Sequence, residues 1–206
     1  MKIKICGIKF EDNARTIEAL SPNLMGFIFY PKSARYVGDI APLKLFQNTN
    51  ESIKKVGVFV NEEPSIISEI VSKYSLDYVQ LHGDETIETC LKLRKKVPVI
   101  KAFGVNQNFD FSTLNAYCGA ADIFLFDTKT DGYGGSGKKF SWDLLNQYSL
   151  DISFLLSGGI DESDAVEIKA LKHPQMLGVD LNSRFEISPG LKDIPKLNSF
   201  IEKIRN

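Results

Sequence analysis

Short runs rich in β-branched and aromatic residues alternate along the chain with longer charged stretches of helical period, and the alternation repeats eight times. Repeated βα units of this kind build a parallel sheet. The pattern predicts strands over residues 2–6, 25–30, 55–60, 78–81, 99–103, 123–127, 152–156 and 176–181. Most are near-continuous apolar runs, as strands covered on both faces are. Helices are predicted over residues 11–20, 42–49, 64–74, 85–96, 109–117, 142–148, 162–171 and 194–204. Asp84 and Asp161 stand as N-caps for two of them. Eight units in 206 residues fit a closed, single-domain (β/α)8 barrel with short loops. An open doubly wound sheet typically uses about five or six strands, so the count favours closure. Residues 1–206 are then one domain, without linker or low-complexity tract. Residues 128–139, with four glycines, form the one long irregular segment. It follows the sixth strand and is a candidate active-site loop.

Composition narrows the class. With 43% hydrophobic and 25% charged residues the chain has the balance of an ordinary globular protein, and its net charge of -1 supplies no electrostatic argument for nucleic acid or an anionic membrane surface. An anion must therefore be bound locally. No apolar run approaches the ~20 residues of a membrane span, and the Lys/Ile alternation at the start is unlike a secretory signal. A cytoplasmic location is expected. Cys6, Cys90 and Cys118 have no C-x-x-C spacing and an odd count, which fits reduced thiols. Two histidines far apart and no clustered thiols argue against zinc, and no metal is expected.

In a barrel the C-terminal strand ends share one mouth, which gathers Cys6, Arg35, His82, Asp127, Ser157 and Asp180. Cys6 closes the first strand; most free cysteines are small buried hydrophobes, and position alone leaves packing and catalysis both open. Cys90 and Cys118 lie in helical segments and are read as packing residues. Asp127 follows Phe124-Leu125-Phe126, an apolar wall that suits a carboxyl working as an acid. A thiol and a carboxyl on one opening make a base and acid pair. Ser157-Gly158-Gly159 ends the seventh strand and Asp180-Leu181-Asn182-Ser183 the eighth, where such barrels commonly hold phosphate. A small phosphorylated molecule is the expected ligand. Arg35 suits a second carboxylate or phosphate, and His82 either contacts substrate or is structural.

These pieces resemble a known family. Lys4-Ile5-Cys6-Gly7-Ile8, Gly26-Phe27-Ile28-Phe29-Tyr30 with Lys32-Ser33 and Arg35-Tyr36, Val79-Gln80-Leu81-His82-Gly83, Asp127, Gly134-Gly135-Ser136-Gly137, Leu156-Ser157-Gly158-Gly159 and Gly178-Val179-Asp180 are together similar to the phosphoribosylanthranilate isomerases of tryptophan biosynthesis. The resemblance covers nearly the whole chain. It implies a cofactor-free Amadori rearrangement in which Asp127 is the general acid and Cys6 the general base. It further implies that Arg35 holds the anthranilate carboxylate, that Gly158, Gly159, Asn182 and Ser183 hold the phosphate, and that the loop with Gly135 closes over the complex. The thiolate of Cys6 is expected to be favoured by the open, polar end of the barrel. Two positions depart from the family's pattern: Ala34 stands where proline is usual and Arg184 where glycine is common. An isomerase of a related phosphorylated sugar and a non-catalytic binder of phosphorylated metabolites are the competing readings. Monomer and homodimer both remain open.

Overall fold

The computed structural model describes residues 1–38, 46, 50–129 and 139–206. Eight parallel strands close into a barrel in chain order: β1 Lys2–Ile5, β2 Leu24–Ile28, β3 Lys54–Phe59, β4 Tyr78–Leu81, β5 Val99–Val105, β6 Ile123–Thr128, β7 Phe154–Leu156 and β8 Met176–Leu181. All eight predicted strands are present, with shifts of one or two residues at their ends. The closing pair is β1 with β8, in a register that sets Lys4 opposite Asp180.

Side chains alternate across each strand, so every second residue faces the barrel axis. The inward set includes Leu24, Val56, Val58, Ile100, Ala102, Ile123, Leu125 and Leu155, which pack with Cys6 into one interior cluster. The outward set, among it Ile3, Ile5, Phe27, Phe59, Val79, Phe124, Phe126 and Val179, packs beneath the surrounding helices. The same parity carries the mouth. Lys4 and Cys6 follow one another on the inward face of β1, Gln80 and His82 on that of β4, and Asp127 continues the inward run of Ile123 and Leu125.

The predicted helices divide into two groups. Glu11–Ala19, Pro64–Tyr74 and Ile194–Arg205 are α-helices close to the predicted spans. Asp193 caps the last by accepting from the Lys196 amide, and Leu197, Phe200, Ile201 and Ile204 give it a buried face. Phe111–Tyr117 and Trp142–Gln147 are instead 3-10 helices. A 3-10 segment rises about 2.0 Å per residue, so a few residues can flank a strand that would take a longer α-helix. Asp161 is an N-cap with a full capping box to Asp164. Asp84 is not a cap: the fourth helix begins at Ile87 and is capped by Thr86. Glu85 explains the shift, because its buried carboxylate is drawn inward to Lys101 Nζ at 3.0 Å and to the amides of Asn61 and Gly83. The helix predicted over residues 42–49 lies outside the described residues except Phe46, whose ring packs 4.5 Å from those of Phe27 and Tyr74.

One element was not foreseen. After β8 a short hairpin, β9 Glu186–Ser188 and β10 Leu191–Lys192, pairs antiparallel outside the barrel sheet. Its tight turn includes Gly190 at φ +87°, a backbone angle that favours glycine.

Candidate active site

The strand ends enclose one cavity lined by Cys6, Arg35, His82, Asp127, Ser157, Gly158, Gly159, Asp180, Asn182 and Ser183, and by Gln80 and Arg184 as well. Every predicted site residue that is described is thus gathered there, from β1, β4, β6, β7, β8 and the segments that follow β2 and β8. Gly135 lies outside the described residues.

Cys6 is 3% exposed and sits at the floor of the cavity. Its side chain and Lys4 Nζ both crowd Gly26, where any Cβ would press on the sulfur. The expectation of a thiolate favoured by an open, polar setting needs correction. Burial pushes the thiol up from its ordinary value; Lys4 and Lys192 oppose that rise, and Asp180 adds to it. Lys4 is itself fully buried and donates to Asp180 Oδ2 at 2.9 Å. Burial disfavours the Lys4 ammonium, yet Asp180 and Cys6 outweigh it and hold the group above its ordinary value. The other carboxylate oxygen, Asp180 Oδ1, is buried without a hydrogen-bond partner among the described residues.

On the opposite wall Asp127 Oδ1 accepts from the Thr128 amide at 2.7 Å, and Oδ2 lies 3.4 Å from His82 Nε2. Gln80 Nε2 lies 2.8 Å from His82 Nδ1. With that amide donating, the ring proton resides on Nε2 and faces Asp127. Gly158, at φ +91°, leaves no room for a Cβ against Thr128 and Asp127, so the end of β7 presses close to the carboxyl. Gly159 follows at φ +66°. Two consecutive glycines at positive φ leave this turn without side chains, so a ligand can approach its backbone closely.

Arg35 enters from the far side of β2. Its Nε and Nη2 donate to Glu186 on β9, with Nη2 to Oε2 at 2.7 Å. Lys192 Nζ donates to the same carboxylate at 2.8 Å and to Asn182 Oδ1 at 2.8 Å. Burial disfavours ionised Glu186, but Arg35 and Lys192 more than offset it and hold the carboxyl below its ordinary value. The arrangement brings a carboxyl, a thiol, a guanidinium and a side-chain-free glycine turn to face one volume. It has the parts for moving protons on a bound, doubly anionic molecule.

The sequence profile described as N-(5'phosphoribosyl)anthranilate (PRA) isomerase matches residues 3–203. The chain belongs to the phosphoribosylanthranilate isomerase family. A relative from Parabacteroides distasonis named N-(5'-phosphoribosyl)anthranilate isomerase is 47% identical, over 99% of this chain and 93% of its own length. The solved phosphoribosyl anthranilate isomerase of Thermus thermophilus superposes with TM-score 0.89 at 28% identity, covering 100% of this chain and 98% of that one. Another, solved in complex with reduced 1-(o-carboxyphenylamino)-1-deoxyribulose 5-phosphate, gives TM-score 0.84 at 32% identity, with the same coverage.

The sequence reading missed Lys4, Gln80, Glu186 and Lys192, which contact the site's Asp180, His82, Arg35 and Asn182. Lys4 and Gln80 carried a signal, since each stands two residues before a recognised site residue on a strand. Glu186 and Lys192 carried none, because the hairpin that turns them inward has no periodicity of its own. Among the described residues no His, Cys, Asp and Glu cluster could hold a metal ion, and no helix is long and apolar enough to cross a membrane.

Proposed function

We propose that residues 1–206 work as one domain that converts N-(5-phosphoribosyl)anthranilate to 1-(2-carboxyphenylamino)-1-deoxyribulose 5-phosphate, with Asp127 as general acid and Cys6 as general base. The observation that carries the reading is that Cys6 and Asp127, from β1 and β6, line the same cavity as the Gly158-Gly159 turn and Arg35. Asp127 protonates the ribose ring oxygen as the ring opens to an imine. The cationic imine acidifies the adjacent C–H, and the Cys6 thiolate removes that proton to give an enolamine, which relaxes to the ketone. Both transfers run between side chains and substrate, so the chemistry asks for no cofactor. The phosphate is held by the backbone of Gly158 and Gly159 with Asn182 and Ser183, and the anthranilate carboxylate by the free edge of Arg35. Asp180 Oδ1, unpartnered among the described residues, is available to a substrate hydroxyl. His82 steadies Asp127 through its Nε2.

The decisive measurement follows the loss of phosphoribosylanthranilate fluorescence on adding protein. Cys6→Ala and Asp127→Ala are each expected to lower turnover by about 10² or more while the barrel still folds. Near wild-type decay in either variant refutes that residue's role. No decay above background with the unaltered chain favours a non-catalytic binder.

A further inference from the structure

Gln80 stands on the inward face of β4, 1% exposed, and lines the cavity two residues before His82. Its ladder partners, Val58 on β3 and Ile100 on β5, are apolar, so neither competes for its amide. What the amide reaches is the imidazole. Gln80 Nε2 lies 2.8 Å from His82 Nδ1, and an amide nitrogen can only donate. The amide oxygen, Gln80 Oε1, is buried without a hydrogen-bond partner among the described residues. Turning the amide over would set that oxygen against Nδ1 and call for a proton there. The Nε2 of a neutral ring would then aim its lone pair at Asp127 Oδ2, 3.4 Å away. In the observed orientation both ring nitrogens meet a complementary group.

The main chain at His82 is held by other groups. Its amide donates to the Phe59 carbonyl at 2.8 Å, and Lys101 Nζ donates to the Gly83 carbonyl at 2.7 Å. The Gly83 amide donates to Glu85. The direction of the ring and the place of its proton are therefore left to the two side chains that face it, Gln80 and Asp127.

We propose that Gln80 is a positioning residue for proton transfer by Asp127: it holds the His82 proton on Nε2, where the ring donates to the carboxylate that forms as Asp127 gives up its own proton. The proposal rests on Asp127 acting as the general acid. A donor aimed at Asp127 favours the charged product of that transfer over the neutral acid, so its effect falls on the chemical step. The other tautomer would point a lone pair at the same developing charge and oppose it.

Heteronuclear NMR of the imidazole nitrogens reads the tautomer directly and without substrate, and the chain has only two histidines to assign. His173 is an internal reference. Its Nδ1 accepts from the Gln175 amide at 3.2 Å and its Nε2 lies 3.1 Å from the Tyr148 carbonyl, so its proton is on Nε2. At about pH 8, where an ordinary imidazole is neutral, His82 should show the same pattern as His173. In Gln80→Glu the new carboxylate draws a proton to His82 Nδ1 with His173 unchanged, and kcat should fall about tenfold or more while KM changes less. In a His82→Ala background the same substitution should alter kcat less than about twofold, because the ring through which Gln80 acts is gone. If Gln80→Glu fails to fold, Gln80→Leu carries the test: the His82 Nδ1 resonance moves to that of an unbonded ring nitrogen, and kcat falls in the same sense. A proton on His82 Nδ1 in the unaltered chain overturns the proposal, as does wild-type kcat in a variant whose Nδ1 resonance has changed. An equal fall in kcat with and without His82 also overturns it, since Gln80 would then act only on structure. Turnover retained in Asp127→Ala would instead refute the acid assignment, and the spectrum keeps the two failures apart.

Discussion

Arg35 reaches the cavity with one edge of its guanidinium committed to Glu186, which fixes the plane of the remaining N–H groups. A lysine lacks the planar fork that would orient donors to both partners in one plane. Arg35→Lys is therefore expected to raise KM about tenfold or more with a smaller change in kcat, a split that steady-state kinetics will show. An equal fall in kcat with KM unchanged would place Arg35 outside ground-state binding. Cys6 and Asp127 were legible because each ends a strand whose apolar run fixes which way it faces. The pressure on Cys6 was not, since burial and the nearby cations come from residues up to the far end of the chain.

Among elements, the β9–β10 hairpin does most to complete the site, and its hold is electrostatic. Glu186 is kept ionised by Arg35 and Lys192 against burial. A carboxyl with a lowered folded value contributes stability that is full above its unfolded value and is lost as pH falls through the folded one. The melting-temperature gap between wild type and Glu186→Gln should accordingly be widest near neutrality and narrow below about pH 4. A gap independent of pH would show that the carboxylate charge contributes nothing there. The β1–β8 seam is steric instead. A Cβ at Gly178 would collide with the Lys2 backbone across the pair, and backbone cannot swing aside as a side chain can. Gly178→Ala should cost about 1–3 kcal/mol or more, read from the urea midpoint. The eight strands and the long helices were visible in periodicity alone. The hairpin and the 3-10 turns were not, because segments of two or three residues are too short to show a period and owe their form to tertiary contacts.

At the scale of the molecule, the cavity joins distant walls of the barrel: Cys6 and Arg35 from its first quarter, Asp127 from its third and Gly158 from its fourth. A ligand that touches all of them is linked to global stability by mass action. The reduced product analogue, at about a hundred times its Kd, should stabilise the fold by roughly 2.7 kcal/mol, and calorimetry should show the same direction in Cys6→Ala. Absence of any rise in Tm for the unaltered chain would argue that the cavity does not bind this compound. Closure of the barrel was inferred from a count of strands, but the count could not reveal what closure accomplishes. Lys4 lies on β1 and its counter-ion Asp180, on β8, lies 176 positions later. Burial of the Lys4 charge is unfavourable until β8 has also been made. Sealing of the barrel floor is thus coupled to the pairing that closes the barrel.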